Sequence, residues 1–218
     1  EIEQDEWVNI PQGWLQGRTI YGGLVAGMMM QKALATIADR SKRLLSTSVT
    51  FVGPVQESQV RLTAEILRQG KSVTTIEVRL WQDDAVQSIL IASFGTHRES
   101  GISVQQQRIA PEFPAVENLT IVPPSPLAPQ CFQQMDLVWI EGQYPCTASE
   151  KPDFSGWMRF NPERHDNREM TVADLMVAFD MWPPGVLPMF KTFAPASSLT
   201  WHVTYVHPLN NHVQDWFK

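Results

Sequence analysis

Asp180 closes an apolar run, TVADLMVAFDMW (171–182), immediately before Pro183-Pro184-Gly185. If that run is a helix, its carboxylate stands at the negative end of the helix dipole, where an anion is disfavoured. The position therefore calls for a reason other than local stability. A carboxylate can take a proton from water or fix the direction of its attack, which is general-base chemistry. Gly22 and Gly23 raise a matching question at the start of a second apolar run, GRTIYGGLVAGMMMQKALATIA (17–38). Each glycine costs up to about 1 kcal/mol in a helix interior, so something besides helical propensity places them there.

Other reactive side chains argue for less. His202, His207 and His212 recur every five residues. An odd spacing sends His202 and His207 to opposite faces of a strand, so a shared metal is not expected. Cys131 and Cys146 lie 15 apart without matching histidines. They read as reduced thiols rather than a zinc site, with a disulfide as the alternative. No metal and no cofactor is called for.

The elements that must carry these residues follow from periodicity. Ala26, Met30, Ala33 and Ile37 recur at helical spacing from Gly22 to about Ala38. STSVTFVGP (46–54) alternates as a strand and ends at Gly53-Pro54. Residues 59–84 read as a hairpin turning at Gly70, and AVQSILIASFGTH (85–97) as a central strand apolar on both faces. Turns this short require antiparallel pairing. Residues 98–130 hold six of the 16 prolines and read as an extended linker. Strands resume at 132–142 and 154–162. The run from Thr171 forms a helix with Val172, Leu175, Met176 and Phe179 inward, and 197–209 is a further strand with Leu199, Trp201, Val203 and Tyr205 on one face.

The plan of the first half, one helix then antiparallel strands, thus repeats. This predicts an α+β chain with a first repeat at 1–97, a linker at 98–130 and a second repeat at 131–218. From Gly22 to Phe94 there are 73 residues and four strands after the helix, against 48 residues from Thr171 to Lys218. The second repeat is therefore expected to lack its last strands within this sequence.

Composition sets the outer limits. Hydrophobic residues make up 43% and charged residues 18%, which predicts a packed core. A net charge of −6 argues against a general nucleic-acid or anionic-membrane partner. No apolar run reaches the 18 residues of a membrane span. The acidic opening, EIEQDEWVNI, is unlike a secretory leader, and a cytoplasmic location is expected.

Taken together, several short motifs resemble the acyl-CoA thioesterase II-like family, whose fold is a double hot dog: two helices, each wrapped by a curved antiparallel sheet. They are Tyr21-Gly22-Gly23, Phe51-Val52-Gly53-Pro54, Leu67-Arg68-Gln69-Gly70-Lys71-Ser72, Gln82, Asp180 and Ser198-Leu199. The resemblance implies hydrolysis of an acyl-CoA thioester by water, without a covalent enzyme intermediate. It implies a catalytic set of an Asp, a Thr or Ser, and a distant Gln. Asp180 and Ser198 match the first two, and the Gln would lie beyond Lys218. The amides of Gly22 and Gly23, at the positive end of the helix dipole, become candidates to stabilise the thioester oxyanion. Met28, Met29 and Met30, apolar and adaptable, become candidates to line an acyl tunnel. FNPERH (160–165) is similar to the hydratase motif of other hot dogs, but Arg159 occupies the position of the required Asp. The expectation is a homo-oligomeric thioesterase. The alternative is an acyl-CoA-binding or scaffold protein that keeps the fold without catalysis.

Overall fold

The computed structural model describes residues 7–102, 112–126 and 128–218. Strands β1 (Trp7–Asn9), β2 (Leu15–Gln16) and β3 (Thr19–Ile20) lead into helix α1 (Gly22–Thr36). Strands β4 (Arg43–Phe51), β5 (Gln59–Gln69), β6 (Val73–Gln82) and β7 (Ala85–Gly95) follow. The second half contains β8 (Met135–Glu141), β9 (Ser155–Phe160), helix α2 (Val172–Phe179) and β10 (Thr200–Thr204).

Local sequence explains the ladder that covers α1. In β6 the alternate residues Thr74, Ile76, Val78, Leu80 and Gln82 are all buried, as are Leu90, Ala92 and Phe94 of β7. A period of two puts each set on the face toward the helix. Asp83 and Asp84 join β6 to β7 with φ of 51° and 57°. A two-residue hairpin loop of this hand needs positive φ at both positions, which aspartate tolerates better than most residues. Buried Lys42 fastens the helix-to-strand loop to the neighbouring hairpin, donating to the Gly70 carbonyl and the Thr74 hydroxyl at 2.9 Å each.

The large sheet has six strands in the order β1-β5-β6-β7-β4-β10. Its last member comes from the far end of the chain: β10 pairs antiparallel with β4, Trp201 opposite Val49. The stretch expected to belong to the second repeat alone therefore extends the sheet of the first. β8 and β9 form a separate antiparallel pair, extended by a bridge from Met158 to Phe217. Where the Pro-rich segment is described, it packs on that pair instead of spanning open space. The Val122 amide donates to the Leu137 carbonyl at 2.7 Å, and the Trp157 indole to the Pro114 carbonyl at 3.2 Å. The rest of the expected linker, 103–111 and 127, lies outside the described residues.

Three expectations are corrected. Residues 130–134 form a 3-10 turn after Pro129, and the strand begins only at Met135, because the turn directs Cys131 and Gln134 inward. β10 is shorter than 197–209, and Leu199, expected on its apolar face, is 72% exposed. The buried stripe of α2 is Ala173, Met176, Val177 and Ala178, whereas Phe179 is 43% exposed. The reason is the partner surface: α2 lies on α1, where small residues allow close approach. A Cβ on Gly27 would stand 2.7 Å from Val177 Cγ2 and 3.0 Å from the Ala173 carbonyl oxygen.

Candidate active site

The two helices pack side by side in opposite directions, so the start of α1 lies against the end of α2. The first amides of any helix have no partner within it. The residue preceding α1, Tyr21, gives no side-chain cap. The need is met from the other helix: the Gly23 amide donates to Asp180 Oδ2 at 2.9 Å. The last carbonyls of α2 are equally unpaired within their helix, and the Tyr21 hydroxyl donates to the Val177 carbonyl at 2.6 Å. Each helix end is thus capped by a residue of the other. Asp180 is badly placed for the dipole of α2 and well placed for that of α1.

This arrangement requires both glycines. A Cβ on Gly22 would come within 2.9 Å of Asp180 Oδ2 and 3.4 Å of the Phe51 ring. A Cβ on Gly23 would meet the Tyr21 ring and stand 2.6 Å from the Val177 carbonyl oxygen. Packing alone accounts for Gly23, and its amide is engaged by the carboxylate.

Burial pushes the Asp180 carboxyl up to about 6, against the opposing effects of the Gly23 amide and then of the nearby Ser198 hydroxyl. Ser198 reaches it from the exposed approach to β10, where the Phe51 amide holds the Leu199 carbonyl at 3.0 Å. Asp180 and Ser198, 18 positions apart, are therefore brought together with Gly22 and Gly23. Met28, Met29 and Met30 are all buried within the core. Successive helical positions diverge by about 100°, so the three face different neighbours. Eight of the nine methionines are buried, among them Met176 and Met181 beside the end of α2.

Two neighbours of Asp180 received no role from the sequence, although Tyr21 stands in the Tyr21-Gly22-Gly23 motif. Tyr21 is fully buried, and its hydroxyl is held well above its ordinary range by burial and then by the Asp180 and Cys131 charges. Cys131 is also fully buried; burial, then the nearby Asp180 charge, pushes its thiol up to about 12. An apolar helix start with no Ser, Thr or Asp cap is the signal that could have drawn attention to Tyr21. For Cys131 the sequence carries none. Arg159, which ruled out the hydratase motif, pairs with Asp136 at 2.9 Å.

A surface cleft of about 790 Å³ is lined by Glu141, Glu150, Lys151, Asp153 and Phe154 among others. Three carboxylates against one ammonium make it unsuited to a phosphate-bearing ligand, and none of the candidate residues lines it. Among the described residues, no helix is long and apolar enough to cross a membrane.

The shifted carboxyl predicts how stability depends on pH. The folded value of about 6 lies above the ordinary 3.8. Ionisation therefore costs the folded state, and the associated stabilisation is complete below pH 3.8 and lost as pH rises through about 6. Two pK units bound the effect at about 3 kcal/mol. Asp180→Asn is expected to gain a few degrees in Tm over the parent at pH 8 and little at pH 4. Equal differences at both pH values would show that the carboxyl is not shifted.

A helix enclosed by a curved antiparallel sheet, doubled in one chain, is the double hot-dog fold. The sequence matches the acyl-CoA thioesterase N-terminal domain over residues 10–95 and the acyl-CoA thioesterase C-terminal domain over residues 106–218. The chain belongs to the acyl-CoA thioesterase family.

Solved structures share its fold. A protein of unknown function with a hot-dog fold from Alicyclobacillus acidocaldarius superposes with a TM-score of 0.79 at 22% identity, over 94% of this chain and 77% of that one. A protein from Thermobifida fusca YX, named provisionally as a thioesterase II, gives 0.77 at 20% identity over the same shares. A tesB protein from Mycobacterium avium subspecies paratuberculosis gives 0.70 at 19% identity, over 97% of this chain and 80% of that one. No curated protein sequence matches the chain.

Proposed function

We propose that this protein hydrolyses acyl-CoA thioesters to free acid and CoA by direct attack of water, with Asp180 as the general base. The observation that carries this reading is the Asp180 carboxyl itself, half-buried where the start of one helix lies against the end of the other, held by the Gly23 amide and shifted to about 6. A base with a pKa near working pH combines a large ionised fraction with useful basicity. Family membership supports the substrate class.

In the proposed reaction, water attacks the thioester carbonyl carbon as Asp180 takes its proton. The carbonyl π electrons move onto oxygen. Collapse of the tetrahedral intermediate breaks the C–S bond, and Asp180 returns the proton to the departing sulfur. The Gly23 amide orients the base, and the Gly22 amide is assigned to the oxyanion, since Gly22 presents no Cβ toward this side of Asp180. Ser198 holds the carboxylate and the water. The acyl chain enters the methionine-rich layer around Met28, Met29 and Met30, whose unbranched side chains repack at small cost.

Release of free CoA thiol from short, medium and long acyl-CoAs tests the reading. Hydrolysis whose kcat/KM falls on the acid side with a midpoint near pH 6 is expected, and acyl-CoA binding without hydrolysis would instead support the non-catalytic alternative. Ser198→Ala is expected to lower kcat by about tenfold or less, since solvent replaces an exposed hydroxyl in part. A loss equal to that of removing Asp180 would make Ser198 a full partner in proton transfer.

A further inference from the structure

We propose that Tyr21 is a positioning residue for this hydrolysis, a role that rests on the proposed function. Its hydroxyl, by capping the last turn of α2, holds the segment bearing Asp180 against the start of α1.

Three observations carry the assignment. The phenol donates to the Val177 carbonyl at 2.6 Å, and Val177 is three residues before Asp180. That carbonyl is among the last of α2, which have no partner within the helix. The bond also spans the same two helix ends as the Gly23 amide to Asp180, 2.9 Å long. The two bonds form a closed pair of tethers, one through each partner's backbone. Finally, the ring has little freedom to move: it is fully buried, stacked on Trp14 with centroids 5.9 Å apart, and occupies the space a Cβ on Gly23 would need.

Loss of the hydroxyl leaves the Val177 carbonyl buried and unpaired, a cost the structure relieves by admitting water or shifting the turn. Either change weakens the desolvation that makes Asp180 a stronger base than an ordinary carboxylate. The groups facing Asp180 are Tyr21 at the entry to α1, the Gly23 amide, Ser198 on the approach to β10 and Cys131 from the 3-10 turn. Of these, the phenol and thiol stay neutral across the working range, so the acid limb of activity reports Asp180. Because the ionised carboxylate is the active form, a lower pKa moves that limb to lower pH.

Tyr21→Phe keeps the ring and removes the hydroxyl. Its expected effects are a fall in kcat of about tenfold, as for a base displaced by a fraction of an ångström, and a nearly unchanged KM. The acid limb of kcat/KM should move down by about one pH unit. Tyr21→4-aminophenylalanine restores a weaker donor and is expected to recover part, not all, of both. A merely structural tyrosine would lower Tm while leaving kcat and the acid limb where they were, and that result overturns the assignment. Should Tyr21→Phe fail to fold, the amino variant becomes the test. Its weaker donor then gives a partial loss of kcat with a partial shift of the limb, and parental values for both overturn the assignment. The parent protein is assayed first. If it releases no CoA, the hydrolase reading itself falls; if it is active while Tyr21→Phe matches it, only the role of Tyr21 falls.

Discussion

Asp180→Asn is expected to lower kcat for acyl-CoA hydrolysis by about 10²–10⁴-fold, the usual contribution of a positioned base. Asparagine keeps the size of the side chain and an oxygen that can accept from the Gly23 amide and Ser198. It loses the charge and the ability to take a proton. The local structure should survive, and the stability difference worked out above makes the variant at least as stable as the parent at neutral pH. KM should change little, because the base acts mainly in the transition state. The acid limb near pH 6 should vanish from the residual rate. Steady-state release of CoA across pH, with melting curves alongside, measures all three. Near-normal kcat in a folded Asp180→Asn protein would remove Asp180 from the chemistry while leaving the fold untouched.

The second large effect is expected at the helix start. Gly23→Val places a branched side chain where even a single Cβ would stand 2.6 Å from the Val177 carbonyl oxygen. Backbone cannot rotate away as a flexible side chain can, so the helices must separate. Overpacking of this kind typically costs 1–3 kcal/mol, roughly. Separation also breaks both tethers, the Gly23 amide to Asp180 and the Tyr21 hydroxyl to Val177. A fall in kcat of at least about tenfold is expected, together with a lower Tm. Gly22→Ala provides a contrast, since its Cβ would crowd the Asp180 carboxylate and the Phe51 ring instead of the α2 backbone. It is expected to affect kcat more than Tm. A Gly23→Val protein that is destabilised yet retains full kcat would confine this glycine to packing.

Both effects arise because the glycines and Asp180 form a single structure. The sequence posed two separate questions, why glycines open one helix and why a carboxylate closes another. Each residue is the answer to the other: Asp180 caps the helix that the glycines open, and the glycines make room for the helix that Asp180 ends.

What the sequence by itself determined was local. The hairpins from β5 through β7 were legible because alternation and the Gly70 turn act between near neighbours, as the Asp83-Asp84 turn found in the structure also does. Both helices were legible from apolar recurrence, and the capping box of α2, Thr171 with Asp174, confirms where it starts. Asp180 and the glycines stood out through their types and positions, whereas Ser198 and the assignment of all four to one site came from resemblance. Only the tertiary structure decided that β10 joins the first sheet, that α2 buries Ala173 and Val177 instead of Phe179, and that Tyr21 and Cys131 stand beside Asp180. The physical reason is distance along the chain. The Gly23 amide and the Asp180 carboxylate are 157 residues apart, and Tyr21 and Val177 are 156 apart. Periodicity reports which face of an element is apolar, whereas the surface that face meets is set by packing. A carboxyl shifted to about 6 is a product of that packing, because desolvation depends on every element that closes over the group.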